Sequence, residues 1–145
     1  MSLLTEPSDI PPYRLDEQVG FVLRQVSQRH ATLFAARLAD ITPMQWAALS
    51  KLHEIGVTSQ NLLGRLTAMD VATIKAVADR LMKRGLVRSE VDDSDARRRL
   101  LALTPAGRAF VERHCAGALA ISADTLAPLT PRERSVFMTL LAKLI

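Results

Sequence analysis

The stretch SQNLLGRLTAMDVATIKAVADRLMKRGLVRSEVDDSDARRRLLALT, residues 59–104, decides the fold. Thr58 or Ser59 can cap a short helix over residues 60–66, with Leu62, Leu63 and Leu66 as its apolar stripe. Thr67-Ala68-Met69 makes a turn, and Asp70 can cap a longer helix over residues 71–84. In that second helix Ile74, Val77, Ala78 and Leu81 recur at the spacing of one buried face. Gly85 is placed to end it. Val87, Ser89 and Val91 then alternate with Arg88 and Glu90, as a strand should. Asp92-Asp93-Ser94-Asp95 signals a turn, and Leu101 and Leu103 belong to the returning strand. The pattern is a helix-turn-helix followed by a hairpin.

Two surfaces of this unit suit duplex DNA. The second helix turns Ala72, Thr73, Lys75, Ala76, Asp79 and Arg80 outward. An outer face that begins with small residues lets a helix lie close to the floor of a major groove. Taken alone, an amphipathic helix with a solvated face explains the pattern equally well. The hairpin projects Asp95, Arg97 and Arg98. An arginine on a slender hairpin can enter a minor groove, where the negative potential is strongest, and a neighbouring aspartate can aim it through a bidentate pair. The bland alternative is a solvated charged loop, but beside a helix-turn-helix the DNA reading weighs more. No Phe, Tyr or Trp lies between Trp46 and Phe110. Binders of single strands stack bases on aromatic rings, so duplex is favoured over single-stranded DNA or RNA. Residues 59–99 carry nine basic and six acidic side chains and so hold most of the net charge of +4. That excess fits an acidic partner without proving one.

Working outward, Pro7, Pro11 and Pro12 make residues 1–13 an irregular arm. Leu15, Val19, Val22, Leu23, Val26, Leu33, Phe34 and Leu38 predict a first helix over residues 16–38. A helix that long in a small chain braces others or meets a partner. Thr42-Pro43-Met44-Gln45 is a capping box with proline at the first helical position, flanked by Ile41 and Trp46 as a hydrophobic staple. The helix it starts runs to about residue 54, before Gly56. Leu103-Thr104-Pro105 repeats the device and starts a helix over residues 105–126, with Phe110, Val111, Leu119 and Ile121 among its apolar positions. Leu129-Thr130-Pro131-Arg132-Glu133 starts a last helix, which runs to residue 145 with Val136, Phe137, Leu140, Leu141 and Leu144. So apolar a terminal face needs cover, and a partner chain would supply it. The fold expected is mainly α with a small β-hairpin wing, in one domain spanning residues 1–145. Residues 42–104 form its winged helix-turn-helix.

Other functions find little support. No apolar run approaches the roughly 20 residues that span a bilayer, and the acidic, proline-containing N-terminus does not look like a secretion signal. A cytoplasmic location is expected. Cys115 is the single cysteine, so no internal disulfide can form, and a buried or interface position suits it best. His30, His53 and His114 make no metal-ligand pair. There is no phosphate loop, nucleophile elbow or paired-carboxylate cleft. No enzymatic role and no cofactor is expected.

Asp79-Arg80-Leu81, Lys83-Arg84-Gly85-Leu86-Val87, Asp95-x-Arg97 and Leu103-Thr104-Pro105-x-Gly107 together resemble the MarR family of bacterial transcription regulators. The likeness extends loosely over residues 15–145. It implies a homodimer interlocked through residues 15–40 and 105–145, binding a pseudo-palindromic duplex. It also implies that Thr73, Lys75 and Ala76 meet bases, that Arg97 with Asp95 forms the wing contact, and that Ser59 and Gln60 meet phosphate. Ala96 departs from the family, which often has a second basic residue there; Arg98 and Arg99 can compensate. The run Ser59-Gln60-Asn61-x-Leu63-Gly64-Arg65-Leu66-Thr67-Ala68-Met69-Asp70-x-Ala72-Thr73-Ile74-Lys75 resembles MarR-type repressors of nicotinate or other aromatic-acid breakdown.

The resemblance further implies a small aromatic, anionic effector between the dimer helices and the DNA-binding lobe. Candidates for its site are Phe21, Arg24, Ser27, Gln28, His30, Met44, Trp46 and His53. Arg24 could pair with a carboxylate, and an aromatic wall could stack a ring. Against this, Phe21 and Trp46 suit the core and Arg24 suits a solvated surface. Two other readings stay open: a thiol-based redox switch at Cys115, and a winged-helix protein-interaction module without a DNA role.

Overall fold

The computed structural model describes residues 10–145, so residues 1–9 of the expected arm, Pro7 included, lie outside the described residues. Leu15–Glu17 form one 3-10 turn, and α1 (Val19–Arg37) follows Gln18. The helix therefore begins three residues later than periodicity predicts. Gln18 is extended and makes no cap; its amide instead donates to the Arg14 carbonyl at 3.1 Å. The remaining elements are α2 (Pro43–Ile55), β1 (Thr58–Ser59), α3 (Gln60–Leu66), α4 (Val71–Lys83), β2 (Val87–Asp92), β3 (Asp95–Leu103), α5 (Pro105–Thr125) and α6 (Pro131–Ala142).

Side-chain caps set the start of each helix after the first. At α2, Gln45 N donates to Thr42 Oγ1 at 3.2 Å, and Thr42 N donates to Gln45 Oε1 at 3.3 Å. At α6 the same reciprocal pair joins Thr130 and Glu133. Ser59, Asp70 and Thr104 cap α3, α4 and α5. Each cap satisfies an amide that the helix geometry leaves without a partner.

The core lies between α2, α4, the root of the sheet and the inner faces of α1 and α5. Leu49, Leu52, Leu63, Ile74, Leu81 and Leu101 are its most enclosed side chains. Phe34 and Leu38 join from the first helix and its end, and Phe110, Val111 and Ile121 join from α5. Ile74, Val77, Ala78 and Leu81 of α4 are all buried, as the pattern predicts.

Several expectations need correction. The wing is not a two-stranded hairpin alone. Thr58 and Ser59 pair with Leu101 and Leu100, giving an antiparallel sheet in the order β1-β3-β2. Two residues carry no readable alternation, so β1 left no signal. Of the expected stripe on α3 only Leu63 is buried; Leu62 and Leu66 are exposed, and Gly64 is the second buried position. A side chain at Gly64 would put its Cβ 2.9 Å from Ile74 Cγ2, so glycine is what lets α3 and α4 approach. Leu119 is also exposed. The last helix ends at Ala142 and buries no residue at all. Cys115 is exposed within the single chain.

The junction between sheet and α5 explains the Thr104-Pro105-x-Gly107 sequence. Thr104 Oγ1 accepts from Gly107 N at 3.0 Å and donates to the Gly85 carbonyl at 2.6 Å. Gly85 sits at φ 74°, a backbone that favours glycine. A Cβ on Gly107 would collide with the Leu86 carbonyl. One threonine and two glycines thus lock the end of α4 onto the start of α5.

Candidate nucleic-acid interface

The exposed face of α4 is fixed from its first turn. Asp70 Oδ1 accepts from Thr73 N at 2.7 Å, and hydrogen bonds from Thr73 hold the Asp70 carboxyl below the usual carboxylate range. Beyond the cap, Ala72, Lys75, Ala76 and Arg80 are exposed and Thr73 is half-buried. A shallow apolar groove of about 610 Å³ runs between this face and the start of α2, where Thr42, Pro43, Met44 and Gln45 line it.

Lys75 does not hang free. Its Nζ lies 3.0 Å from Asp79 Oδ2, one turn along the helix. Hydrogen bonds from Lys75 and, next, Arg99 hold the Asp79 carboxyl below the usual range.

The wing is built differently from the expected aspartate–arginine clamp. Asp95 Oδ1 accepts from the backbone N–H of Arg97 at 3.0 Å. The Arg97 Nε is 3.6 Å from the same oxygen, so no bidentate pair forms. Asp95 shapes the backbone rather than gripping the guanidinium, and the Arg97 side chain is 94% exposed. Asp92 plays a matching part on the other strand. Ser94 donates to it through Oγ at 2.7 Å and N at 2.9 Å, and these bonds hold its carboxyl below the usual range. Arg98 Nη1 lies 3.7 Å from Asp92 Oδ2.

Ser59, Gln60 and Asn61 meet Arg97, Arg98 and Arg99 around a small polar hollow of about 120 Å³. Ser59, expected to meet phosphate, lines the edge of this hollow as the cap of α3. It is 8% exposed, and its hydroxyl accepts from Leu62 N at 3.2 Å to cap α3. Gln60 is half-buried and accepts from Arg99 Nη1 at 3.2 Å.

Sequence reading gave Arg99 only the part of compensating for Ala96 and did not anticipate its contacts with Gln60, Asp79 and Met82. The signal was present: strand alternation puts Leu101, Arg99 and Arg97 on one face. Along that face burial fades from 1% exposed at Leu101, through half-buried Arg99, to the open Arg97.

The eight effector candidates are not brought together. Ser27 and His30 line an apolar groove of about 410 Å³ between α1, α5 and α6, where His30 Nδ1 is 2.8 Å from Thr125 Oγ1. Met44 lines the separate groove beside α4. Trp46 packs against the core. His53 Nε2 is 3.5 Å from Glu112 of α5. Phe21 is half-buried, and Arg24 and Gln28 are exposed. Among the described residues no helix is long and apolar enough to cross a membrane.

A MarR family profile matches residues 41–98, from the end of the α1–α2 loop to the wing. The HTH-type transcriptional repressor NicR of Pseudomonas putida is 36% identical over 151 residues, which take in all of this chain and 96% of NicR. The chain belongs to the MarR family. It is thus a winged-helix transcriptional regulator by kinship as well as by fold. Solved MarR-like structures agree with that placement. A probable transcriptional regulator from Pseudomonas aeruginosa is 53% identical, with a TM-score of 0.89 over 91% of this MarR-family chain and 100% of that one. BpsR of Bordetella bronchiseptica is 37% identical, with a TM-score of 0.88 over 92% of this chain and 97% of its own. That structure concerns regulation of BpsR DNA binding by 6-hydroxynicotinic acid.

Proposed function

We propose that the chain is a homodimeric repressor that reads a pseudo-palindromic duplex and leaves it when a small aromatic acid of the nicotinate type binds. The observation that carries this reading is the pairing of an open, small-residue face on α4 with a fully exposed Arg97 on a backbone-anchored wing. The face suits a major groove and the arginine suits the flanking minor groove. The chain's similarity to NicR, a repressor, and to BpsR, whose DNA binding answers to 6-hydroxynicotinic acid, supports the rest. On this reading residues 42–104 meet DNA, and residues 15–40 and 105–145 pair two copies. Exposed Val136, Met138 and Leu140 on α6, with Leu144 just past its end, give the pairing an apolar surface to cover. The two recognition helices then sit about 34 Å apart, one turn of duplex, and the effector stabilises a spacing that misses that repeat. The regulator acts in the cytoplasm, where its operator lies.

Gel shift on the DNA upstream of the chain's own gene tests this. Saturable retardation that outlasts competitor DNA is expected, with release by one member of a panel holding nicotinate, 6-hydroxynicotinate and benzoates. Failure to retard any upstream fragment refutes the DNA role. Retardation insensitive to the whole panel refutes the effector class. Exposed Cys115 motivates one competing arm: release by oxidant that is lost in Cys115→Ser would favour a thiol switch.

A further inference from the structure

Arg99 joins the three parts of the reading surface. From the root of the wing its Nη1 donates to Gln60 Oε1 at the start of α3 and to Asp79 Oδ1 on α4, at 3.2 and 3.1 Å. Its Nη2 lies 3.0 Å from Met82 Sδ. Asp79 in turn serves two cations with separate oxygens: Oδ1 for Arg99 and Oδ2 for Lys75. A carboxylate on the outer face of a recognition helix repels phosphate and competes with bases for the nearby lysine. Here both effects are blunted, because a second cation shares its charge.

We propose that Arg99 is a specificity-determining positioning residue: it fixes the wing against α3 and α4 and, by sharing the charge of Asp79, weakens that carboxylate's hold on Lys75 so that the lysine can turn to a base. Arg99 itself does not touch DNA in this scheme. Remove the guanidinium, and Asp79 has Lys75 as its sole cation. The lysine is then tethered along the helix axis and its charge is neutralised where the groove needs it. At the same time the wing loses its link to Gln60 and Asp79, so the register between groove-reading helix and wing loosens. The inference rests on the DNA-binding reading above, and adds which residue sets base preference without contact.

The test compares affinity for the operator with affinity for a scrambled duplex of equal length, for the full chain and its variants. Arg99→Met keeps an unbranched apolar stem but removes the guanidinium, and with it the hydrogen bonds to Gln60 and Asp79. It should lower the operator-to-scrambled ratio about tenfold, the scale of one lost base contact. Lys75→Ala should cost about tenfold in the wild-type background, but less than about threefold once Arg99→Met is present, since coupled groups do not add. Asp79→Asn frees the lysine altogether. It should strengthen binding to scrambled duplex and steepen the salt dependence by about one unit of slope. A purely structural Asp79 would weaken both duplexes instead. Should Arg99→Met fail to fold, Arg99→Lys and Asp79→Asn carry the test. Lysine cannot hold Gln60 and Asp79 together, so its operator-to-scrambled ratio should fall below that of the wild-type chain. A wild-type ratio in Arg99→Met, or an undiminished Lys75→Ala loss in its presence, overturns the inference. A wild-type chain that shows no preference overturns the DNA-binding reading itself, and the two failures are told apart by which protein shows them.

Discussion

Arg97 meets DNA, on this account, as an open cation and not as half of an ion pair, so its loss should be felt by every sequence alike. Arg97→Ala is expected to weaken binding to all duplexes and to flatten the plot of log affinity against log salt by about one unit. Anisotropy titrations at several salt concentrations measure both; an unchanged slope would remove Arg97 from the interface. Gly107→Ala tests a different kind of constraint. The new methyl meets the Leu86 carbonyl, which is backbone and cannot swing aside. A loss of about 1–3 kcal/mol is expected from urea unfolding, the usual cost of overpacking. At this scale the sequence was legible where a residue's role follows from its own chemistry: glycine at a turn, threonine at a cap. It was less so where a role depends on what lies across a gap. Asp95 was expected to grip a guanidinium, but the N–H two residues on is nearer and wins. Arg99 read as one arginine among three because its partners, Gln60 and Asp79, are 39 and 20 residues away in the chain.

Elements began where a cap announces them. The helices after the first start at Pro43, Gln60, Val71, Pro105 and Pro131, as the caps predict. The first, with no cap, was misplaced by three residues, and β1 escaped notice because its two residues gain meaning only from the strand they pair with. Capping also yields graded predictions. Thr104→Ala loses both its bond from Gly107 and its bond to Gly85, so it should cost about 1–2 kcal/mol in a chemical melt, and more than Thr130→Ala on exposed α6. The capping carboxylates carry a pH signature too. Asp70 and Glu133 are held below the usual carboxylate range by hydrogen bonds from Thr73 and Thr130. The unfolded chain therefore takes up these protons first on acidification. Stability from the caps is fully present above about pH 5, clear of the ordinary carboxylate values, and is lost as the pH falls through the lowered folded-state values. Thermal melts from pH 6 down to pH 2 should show that decline, and a shallower one in Asp70→Asn, where asparagine still caps without titrating. An identical decline in the variant would deny Asp70 its part.

For the whole molecule, the reading head was legible and the effector cleft was not. A winged helix-turn-helix is a local pattern, with caps, turn and wing all within 46 residues. A cleft between lobes depends on which faces of distant helices meet, and α1 parts Ser27 and His30 from Arg24 and Gln28 although all four lie within two turns. Pairing itself is open to direct test. Met138→Glu or Leu140→Glu alters a side chain already more than half exposed, so the stability of one chain should move by no more than about 0.5 kcal/mol. Sedimentation equilibrium should nevertheless show a monomer, and affinity for a two-half-site operator should fall with it. A variant that stays dimeric would move the interface elsewhere.

The lack of any buried residue in α6 has a consequence for how such a regulator is dosed in a cell. A helix of twelve residues is barely stable in water without packing. If a second copy provides that packing, α6 orders only as chains meet, while the reading head keeps its own core throughout. Dilution should then erode helical signal before it unfolds the sheet, in proportion to α6 alone. Below the pairing concentration the operator would face solitary heads that each grip one half-site weakly. Repression would set in over a narrow range of copy number, steeper than either half-site could give, because the same encounter completes both the last helix and the second handhold.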